Sequence, residues 1–256
     1  MPTGSVKTPE EIEAMRQGGR ILATVLELMR QKCVAGVTPK QMAQLAAQEL
    51  KRLGGEPAFL GYPGDRCPYP DIICISVNDC VQHSIPDDRP FVDGDVVNFD
   101  FGVRYKGLVT DGGLTVCVGN KTTSDTARLI EGTKQALYDG LKVIRHGCHV
   151  GDISATIERT LRKHRLGIVR ELVGHGVGYE LHEDGPEIPN YGKAGTGPVL
   201  RAGMTIAVEP ITTLGSPAII EDADGWTLRT ADGSWSAQFE HTVLVTSSGC
   251  EILTRI

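Results

Sequence analysis

An internal repeat constrains the fold of this chain more than any other feature of its sequence. In each half, two amphipathic helices are predicted before a strand that begins with glycine and has a carboxylate six positions on. The two strands are 94–100, GDVVNFD, and 203–209, GMTIAVE. The helix pairs and these strands recur at a separation of about 110 residues, which is typical of a duplicated unit. We therefore expect one domain over 1–256, built from related halves at 8–119 and 124–246.

Capping signals indicate where the predicted helices begin and end. Thr-Pro-Glu-Glu at 8–11 and Thr-Pro-Lys-Gln at 38–41 each have the form of a capping box with proline at the first helical position. In the second half, Ser124 or Asp125 caps the third helix, and the fourth helix ends at the Leu-Gly pair 166–167. Helix pairs followed by strands in this order predict an α+β fold.

The stretch 94–119 contains two valine-rich runs separated by a Lys-Gly pair at 106–107, which is typical of a β-hairpin with a two-residue turn. With that turn, Gly102 faces Asp111, and Asp100 lies on the same face of the sheet. The two aspartates are then diagonal neighbours, roughly 7–8 Å apart at the backbone. Two carboxylates aimed at one point repel each other unless a proton or a cation lies between them. Alone, such a pair is more often two solvated aspartates on an open face.

The second half supplies three further polar candidates. His175 is flanked by glycines, and Glu209 follows its strand directly before a proline. Glu240 lies in a predicted strand at 236–245, where it shares a face with Gln238. Because the halves are related, the repeat places these groups opposite the hairpin aspartates, so that carboxylates from both halves meet along a common midline.

Four carboxylates in one buried site cannot all be ionised without compensation. At an effective dielectric near 20, unit charges about 5 Å apart cost roughly 3 kcal/mol per pair, and six pairs cost on the order of 20 kcal/mol. This exceeds the net stability of a typical domain, about 5–15 kcal/mol, so protons or metal ions must be present. Two divalent cations would cancel the four negative charges, and His175 would add a neutral nitrogen ligand. Such a set suits manganese, iron, cobalt or zinc, and two such ions equip a site for hydrolysis of an amide.

Composition excludes several classes of function. The net charge is −6 and there is no long basic run, so nucleic acid is not expected as a partner. No stretch approaches the roughly 18 apolar residues of a membrane span, and the N-terminus lacks the apolar core of a signal peptide. The seven cysteines are scattered without a CxxC pair, which indicates free thiols in a reducing compartment. We therefore expect a cytoplasmic protein with no membrane partner.

The sequence contexts of the five candidate ligands resemble those of the type I methionine aminopeptidases. The matching segments are NFDFG around Asp100, TDGG at Asp111, GHGVGYELHE at His175, GMTIAVEP at Glu209 and QFEHTVLVT at Glu240. The resemblance extends from the first helix to the last strand. It implies the pita-bread fold, in which two pseudo-symmetric halves of helix pairs pack on a curved antiparallel sheet.

The same resemblance implies a function. Enzymes of this family use divalent metal ions to remove the initiator methionine from nascent polypeptides when the second residue is small. We therefore expect a metallopeptidase with two divalent ions, whether cobalt, manganese, iron or zinc. Its substrate would be the N-terminus of a nascent polypeptide, and its further expected properties are a monomeric state and contact with the ribosome.

Carried over position by position, the resemblance assigns a role to each metal ligand. Asp100 would chelate one metal, and Asp111 and Glu240 would bridge both. His175 and Glu209 would complete the first site. Glu209 would also carry the proton of the bridging water.

The resemblance also implies the residues that meet the substrate. His83 matches the histidine near the substrate amine, and His182 matches the one that contacts the scissile carbonyl. The lining of the methionine side-chain pocket is matched by five residues: Tyr62, Tyr69, Cys74, Leu181 and Trp226. A thioether suits an aromatic, sulfur-tolerant pocket because it is polarisable.

Three features depart from the family pattern. Ser84 follows His83 where glycine is usual, which predicts a shift of the substrate loop. Gly112-Gly113 replaces a small hydroxylated residue after Asp111, which calls into question what supports that carboxylate. The loop 61–70 is a few residues longer than in many relatives, which affects the assignment of the pocket.

Two alternatives remain open at the level of the sequence. The first is a proline-specific peptidase of the same fold, an Xaa-Pro aminopeptidase or a prolidase, although those relatives usually carry a large additional N-terminal domain. The second is a non-catalytic peptide-binding relative, although such proteins typically lose metal ligands, and here all five positions are occupied.

Overall fold

Residues 4–119 and 121–255, as described by this computed structural model, form four helices and fifteen strands. The helices are α1 (Pro9–Lys32), α2 (Pro39–Leu53), α3 (Ser124–Leu141) and α4 (Val150–Lys163). The strands of the first half are β1 (Glu56–Pro57), β2 (Cys74–Val77), β3 (Cys80–Gln82), β4 (Val96–Tyr105) and β5 (Leu108–Cys117). Those of the second half are β6 (Gly167–Ile168), β7 (Gly174–Gly176), β8 (Glu183–Ile188), β9 (Thr205–Val208), β10 (Ile211–Thr213), β11 (Ile219–Glu221), β12 (Leu228–Thr230), β13 (Ser236–Gln238), β14 (Glu240–Val245) and β15 (Cys250–Ile252).

The capping boxes of the first two helices are confirmed. Thr8 and Thr38 each accept a hydrogen bond from the backbone three residues on, and proline occupies the first turn of both helices. The prediction of Ser124 or Asp125 as the cap of α3 was one or two residues too late, because the cap is Thr123, whose hydroxyl accepts from the backbone nitrogen of Thr126 at 3.2 Å. Reciprocal bonding between two threonines serves here in place of the Glu or Gln of a standard box.

The central hairpin has the predicted register. Tyr105 pairs with Leu108 and Gly102 with Asp111, so β4 and β5 are joined by a two-residue turn. Both turn residues have a positive φ, 50° at Lys106 and 81° at Gly107. This geometry matches the right-handed twist of the strands that it connects.

The single strand predicted over 236–245 is instead two strands. Phe239 interrupts the run, and its backbone nitrogen lies 3.4 Å from the carbonyl oxygen of Pro210. The interruption allows β13 to pair with β10 while β14 joins the main sheet between β5 and β9. Gln238 and Glu240 therefore lie on different strands.

The main sheet has nine strands, and its longest path runs β1-β4-β5-β14-β9-β7-β8. Each helix pair covers its own hydrophobic core on this sheet, one around Phe99 and Phe101 under α1 and α2, the other around Ile153 and Ile157 of α4. Leu114 of β5 packs against both cores. The main sheet thus joins the strands of the first half to those of the second near its middle.

Candidate metal centre

Five neighbouring strands of the main sheet each contribute one of the predicted ligands. Asp100 comes from β4, Asp111 from β5, Glu240 from β14 and His175 from β7, and Glu209 directly follows β9. In the register, Gly113 lies opposite both Asp100 and Glu240. Groups that are distant in the sequence are thus adjacent across the sheet.

The five side chains are buried, each only 2–8 % exposed. His175 Nε2 lies 3.5 Å from Glu209 Oε1 and 3.8 Å from Asp111 Oδ2. Asp111, His175 and Glu240 each offer a ligand atom, and these three atoms lie within 4.8 Å of one another. His175 Nδ1 lies 3.0 Å from the carbonyl oxygen of Gly176, so Nε2 is the nitrogen that faces the carboxylates.

The hydrogen bonds of these carboxylates are incomplete. Gln82 Nε2 donates to Asp100 Oδ2 at 3.2 Å, and Gln238 Nε2 donates to Glu240 Oε2 at 3.0 Å. Across residues 4–119 and 121–255, the other oxygens of these two carboxylates, Asp100 Oδ1 and Glu240 Oε1, are buried without a hydrogen-bond partner. A buried oxygen without a partner costs free energy, and a cation offers it one.

The electrostatics of the cluster favour the same conclusion. Burial raises the pKa of Asp111 to about 7. Burial, and next the charges of neighbouring carboxylates, raises the pKa values of Asp100, Glu209 and Glu240 well above their ordinary range. Burial also lowers the pKa of His175 to about 3, so its ring is neutral at pH 7 and available as a ligand. The donor set therefore fits divalent metal ions.

A cavity of about 130 Å³ adjoins the carboxylates and contains all of the predicted substrate residues. Its walls include the five residues of the expected methionine pocket, namely Tyr62, Tyr69, Cys74, Leu181 and Trp226. The rings of Tyr69 and Trp226 meet edge to face with their centroids 5.1 Å apart. His83 and His182 also line the cavity.

The two histidines occupy distinct positions around the cavity. The ring centroid of His182 is 4.0 Å from that of His175, and its Nδ1 is 2.7 Å from the hydroxyl of Tyr62. His83 has a left-handed backbone with φ 57°, and its ring centroid lies 6.3 Å from that of Trp226. Burial lowers the pKa of His83 to about 4 and also lowers the pKa of His182, so both rings are neutral at pH 7.

The departures noted in the sequence have structural counterparts. The carbonyl oxygen of Ser84 accepts the Tyr69 hydroxyl at 2.9 Å, which connects the His83 loop to the pocket wall. A Cβ at Gly113 would overlap the amide oxygen of Gln238, so glycine makes room for the side chain that holds Glu240.

Asp111 is supported from another strand. Its backbone nitrogen donates to Thr242 Oγ1 at 2.8 Å, and the same hydroxyl donates to its backbone oxygen at 2.7 Å. The carboxylate oxygen Oδ1 accepts the backbone nitrogen of Gly112 at 3.0 Å. Thr242 of β14 therefore holds the backbone of Asp111, and the backbone of Gly112, not a side chain after it, holds the carboxylate.

Gln82 is a polar residue at this site that the sequence interpretation missed. Its side chain accepts from Asn98 Nδ2 at 3.1 Å while it donates to Asp100, and it is only 1 % exposed. The sequence held one signal, a polar residue directly before His83 in an otherwise buried strand end. That signal does not reveal the partner, because β4 follows 14 residues later in the chain.

Comparison with known proteins agrees with the fold and the donor set. The chain belongs to metallopeptidase family M24, whose model matches residues 13–247. The chain is 40 % identical over 250 residues to methionine aminopeptidase 1 of Bacillus subtilis, with 98 % of each chain covered. It is 39 % identical over 252 residues to the methionine aminopeptidase of Escherichia coli, covering 98 % of this chain and 93 % of that one.

Solved structures show the same relationship. The methionine aminopeptidase of Thermotoga maritima superposes with a TM-score of 0.95 at 42 % identity, covering 99 % of this chain and all of that one. The prolidase of Pyrococcus furiosus superposes with a TM-score of 0.75 at 22 % identity, and the matched part is 65 % of that chain. The second likeness shows the shared fold alone. The predicted α+β pita-bread fold is confirmed.

No helix in the described part of the chain combines the length and the apolar character that crossing a bilayer requires.

Proposed function

We propose that this protein hydrolyses the N-terminal methionine from polypeptides whose second residue is small, with divalent metal ions as cofactors. One observation carries the proposal: the cavity that holds Tyr69 and Trp226 opens directly onto the cluster around Asp111 and Glu240. A side-chain pocket next to a hydrolytic metal centre is the arrangement that an aminopeptidase needs, because the scissile carbonyl then lies beside the metal.

The proposed ligands are Asp100, Asp111, His175, Glu209 and Glu240. Divalent ions bound there supply a lowered water pKa and polarisation of the substrate carbonyl. Gln82 and Gln238 fix the orientations of Asp100 and Glu240 through the bonds described above.

Glu209 is proposed to carry the proton. Its carboxyl is buried beside His175, and burial raises its pKa above the ordinary range of a glutamate, which favours a group that takes up a proton. In the proposed reaction it accepts a proton from the attacking water and passes it to the leaving amine of the second residue.

His182 is proposed to donate to the carbonyl oxygen of the substrate. When the Tyr62 hydroxyl donates to Nδ1 of this ring, the proton of the neutral imidazole resides on Nε2. That N–H can then stabilise the oxyanion of the tetrahedral intermediate. His83 lines the same cavity and is proposed to lie near the substrate amine.

Methionine selectivity is proposed to come from the five pocket residues. Tyr69 and Trp226 offer ring faces and edges, and Cys74 offers a thiol that burial keeps neutral by raising its pKa. Polarisable sulfur and aromatic surfaces favour a thioether over a charged or strongly polar side chain.

Assays with three peptides test the proposed specificity. With manganese or cobalt added, we expect release of methionine from Met-Ala-Ser, little release from Met-Trp-Ser, and none of the N-terminal residue from an Xaa-Pro dipeptide. Cleavage of the Xaa-Pro dipeptide with Met-Ala-Ser left intact would instead identify the proline-specific alternative. A non-catalytic relative would hold well under one ion per chain and cleave neither peptide.

Three further properties are proposed on the strength of the sequence and the family resemblance. These are a cytoplasmic location, a monomeric state and contact with the ribosome while chains are being made. The seven cysteines are all free, as expected for a reducing compartment.

A further inference from the structure

Lys7, which directly precedes the cap of α1, is buried. Its side chain has no exposed surface, and the Nζ atom donates to Glu183 Oε1 at 2.7 Å and to Oε2 at 2.9 Å. Its backbone nitrogen donates to the carbonyl oxygen of Gly203 at 2.9 Å, and its neighbour Val6 forms a bridge with Met204. Lysine is almost never fully buried, and then only with a partner. The burial of this ion pair therefore needs a structural reason.

Glu183 closes the loop that carries His182. The loop 177–182 joins β7 to β8, and Glu183 pairs with Gly176 at its base. The Oε1 atom of Glu183 also accepts the backbone nitrogen of Tyr179 at 2.7 Å, which spans the loop from one side to the other. The Glu183 side chain therefore connects the base of the loop to Tyr179 near its start.

Lys7 supplies the compensating charge for Glu183 and also contacts the loop itself. Its ammonium lies 4.7 Å from the centroid of the Tyr179 ring, and the hydroxyl of that ring donates to Glu11 of α1 at 2.9 Å. A Cβ at Gly178 would overlap Cε of Lys7, so the loop backbone packs directly on the lysine stem.

We propose that Lys7 is a positioning residue for His182, acting through Glu183 and the 177–182 loop. In this arrangement, the segment before α1 fixes the position of the His182 side chain relative to the cavity. The Tyr62 hydroxyl fixes the orientation of its ring. The inference rests on the proposed function, since His182 matters most where it stabilises the oxyanion of the reaction.

The test removes the whole ion pair. Lys7→Met alone leaves a buried carboxylate unpaired and risks loss of folding. The double variant Lys7→Met, Glu183→Gln removes both charges, while the side-chain oxygen of the introduced glutamine still has the backbone nitrogen of Tyr179 within reach. The matched control is Arg16→Met, Glu251→Gln, because that pair, in contact at 2.7 Å, joins α1 to β15, and neither residue lines the cavity.

We expect the Lys7 double variant to lower kcat for Met-Ala-Ser by about tenfold or more while KM changes by less than about twofold. Affinity for a phosphonate analogue of methionine, which mimics the tetrahedral state, should fall in parallel with kcat, and affinity for methionine should not. The control variant should leave kcat and the affinity for the phosphonate analogue unchanged. Unaltered kcat in the Lys7 double variant, or an equal loss in the control, overturns the proposal.

Hydrogen exchange separates this proposal from the proposed function. In the metal-loaded proteins, amides of the 177–183 segment should exchange faster in the Lys7 double variant than in the wild type or the control. Unchanged exchange in this segment overturns the positioning role even where the wild type releases no methionine. Faster exchange in this segment, with a wild type that releases no methionine, supports the positioning role and refutes the proposed function alone.

Discussion

Removal of divalent metal should make the stability of the protein fall as pH rises above neutrality. In the metal-free protein, burial raises the pKa of Asp111 to about 7, and the pKa values of Asp100, Glu209 and Glu240 lie well above their ordinary range. A carboxyl whose pKa is raised by folding holds a proton that the unfolded chain has released, so stability decreases with pH. Each carboxyl that keeps its proton in the folded protein lowers the free energy of unfolding by about 1.4 kcal/mol per pH unit.

The interval from about pH 6.5 to 8 isolates this effect. Burial lowers the pKa of His83 and His241 to about 4 and that of His175 to about 3. Their contribution to stability therefore rises with pH only up to about 6.5 and is constant above it. Burial raises the pKa of Cys33 to about 12, and such thiols lower stability only above about pH 8. Over this interval, each carboxyl that stays protonated in the folded protein lowers the free energy of unfolding by about 2 kcal/mol.

Urea unfolding at several pH values, with EDTA or with added manganese, measures how the free energy of unfolding changes with pH. We expect stability in EDTA to decline from pH 6.5 to 8, and the gain from manganese to increase over the same interval. Asp100→Asn should reduce the slope in EDTA. Asp232→Asn should not, because that carboxyl is exposed and hydrogen bonds lower its pKa to about 2. Stability in EDTA that is flat or rising over this interval would refute the reasoning.

Three further predictions concern the site. Glu209→Gln should fold normally yet lower kcat by roughly 10²- to 10⁴-fold, and near-normal turnover would count against proton transfer by this residue. Asp111→Asn should lower the metal content measured by mass spectrometry as well as activity, and unchanged content would remove it from the ligand set. A Cβ at Gly64 would overlap Cζ2 of Trp226, so Gly64→Ala should raise KM for Met-Ala-Ser about threefold or more. Gly249→Ala, which meets nothing within 4 Å, is its control, and an equal KM in both variants would exclude the contact.

Local chemistry in the sequence predicted the parts of the fold that depend on neighbouring residues. The Lys-Gly turn sets the register that places Gly102 opposite Asp111, because a two-residue loop leaves no freedom in the pairing. Threonine-proline caps likewise locate the starts of α1 and α2. These signals operate within a few residues and need no knowledge of the rest of the chain.

The order of strands in the sheet depends on contacts that no local pattern encodes. The position of β14 between β5 and β9, and the interruption at Phe239 that permits it, follow from how two halves pack. For the same reason Gln82 was missed, since its partner Asp100 becomes its neighbour only through pairing of distant strands. The family resemblance brought the five proposed ligands together before the structure did so geometrically.

The pocket also separates what the sequence could predict from what only the fold provides. Its residues were assigned by resemblance alone, because aromatic residues in loops have no periodicity that reveals their neighbours. The structure adds the connections, such as Trp226 Nε1 donating to the carbonyl oxygen of Cys67 at 3.1 Å and the Tyr62 hydroxyl at His182. These contacts join the 61–70 loop to the opposite wall of the cavity.

The central claim is that acidic groups from both halves of the chain hold the metal ions on which methionine release depends. Calorimetric titration of manganese into the metal-free protein, with release of methionine from Met-Ala-Ser followed at each addition, tests it most directly. We expect up to two ions bound per chain in the wild type and release that tracks occupancy. Both should be reduced in Asp100→Asn from the first half and in Glu209→Gln from the second. Binding of far less than one ion by the wild type, or release of methionine that is indifferent to added metal, would contradict the account.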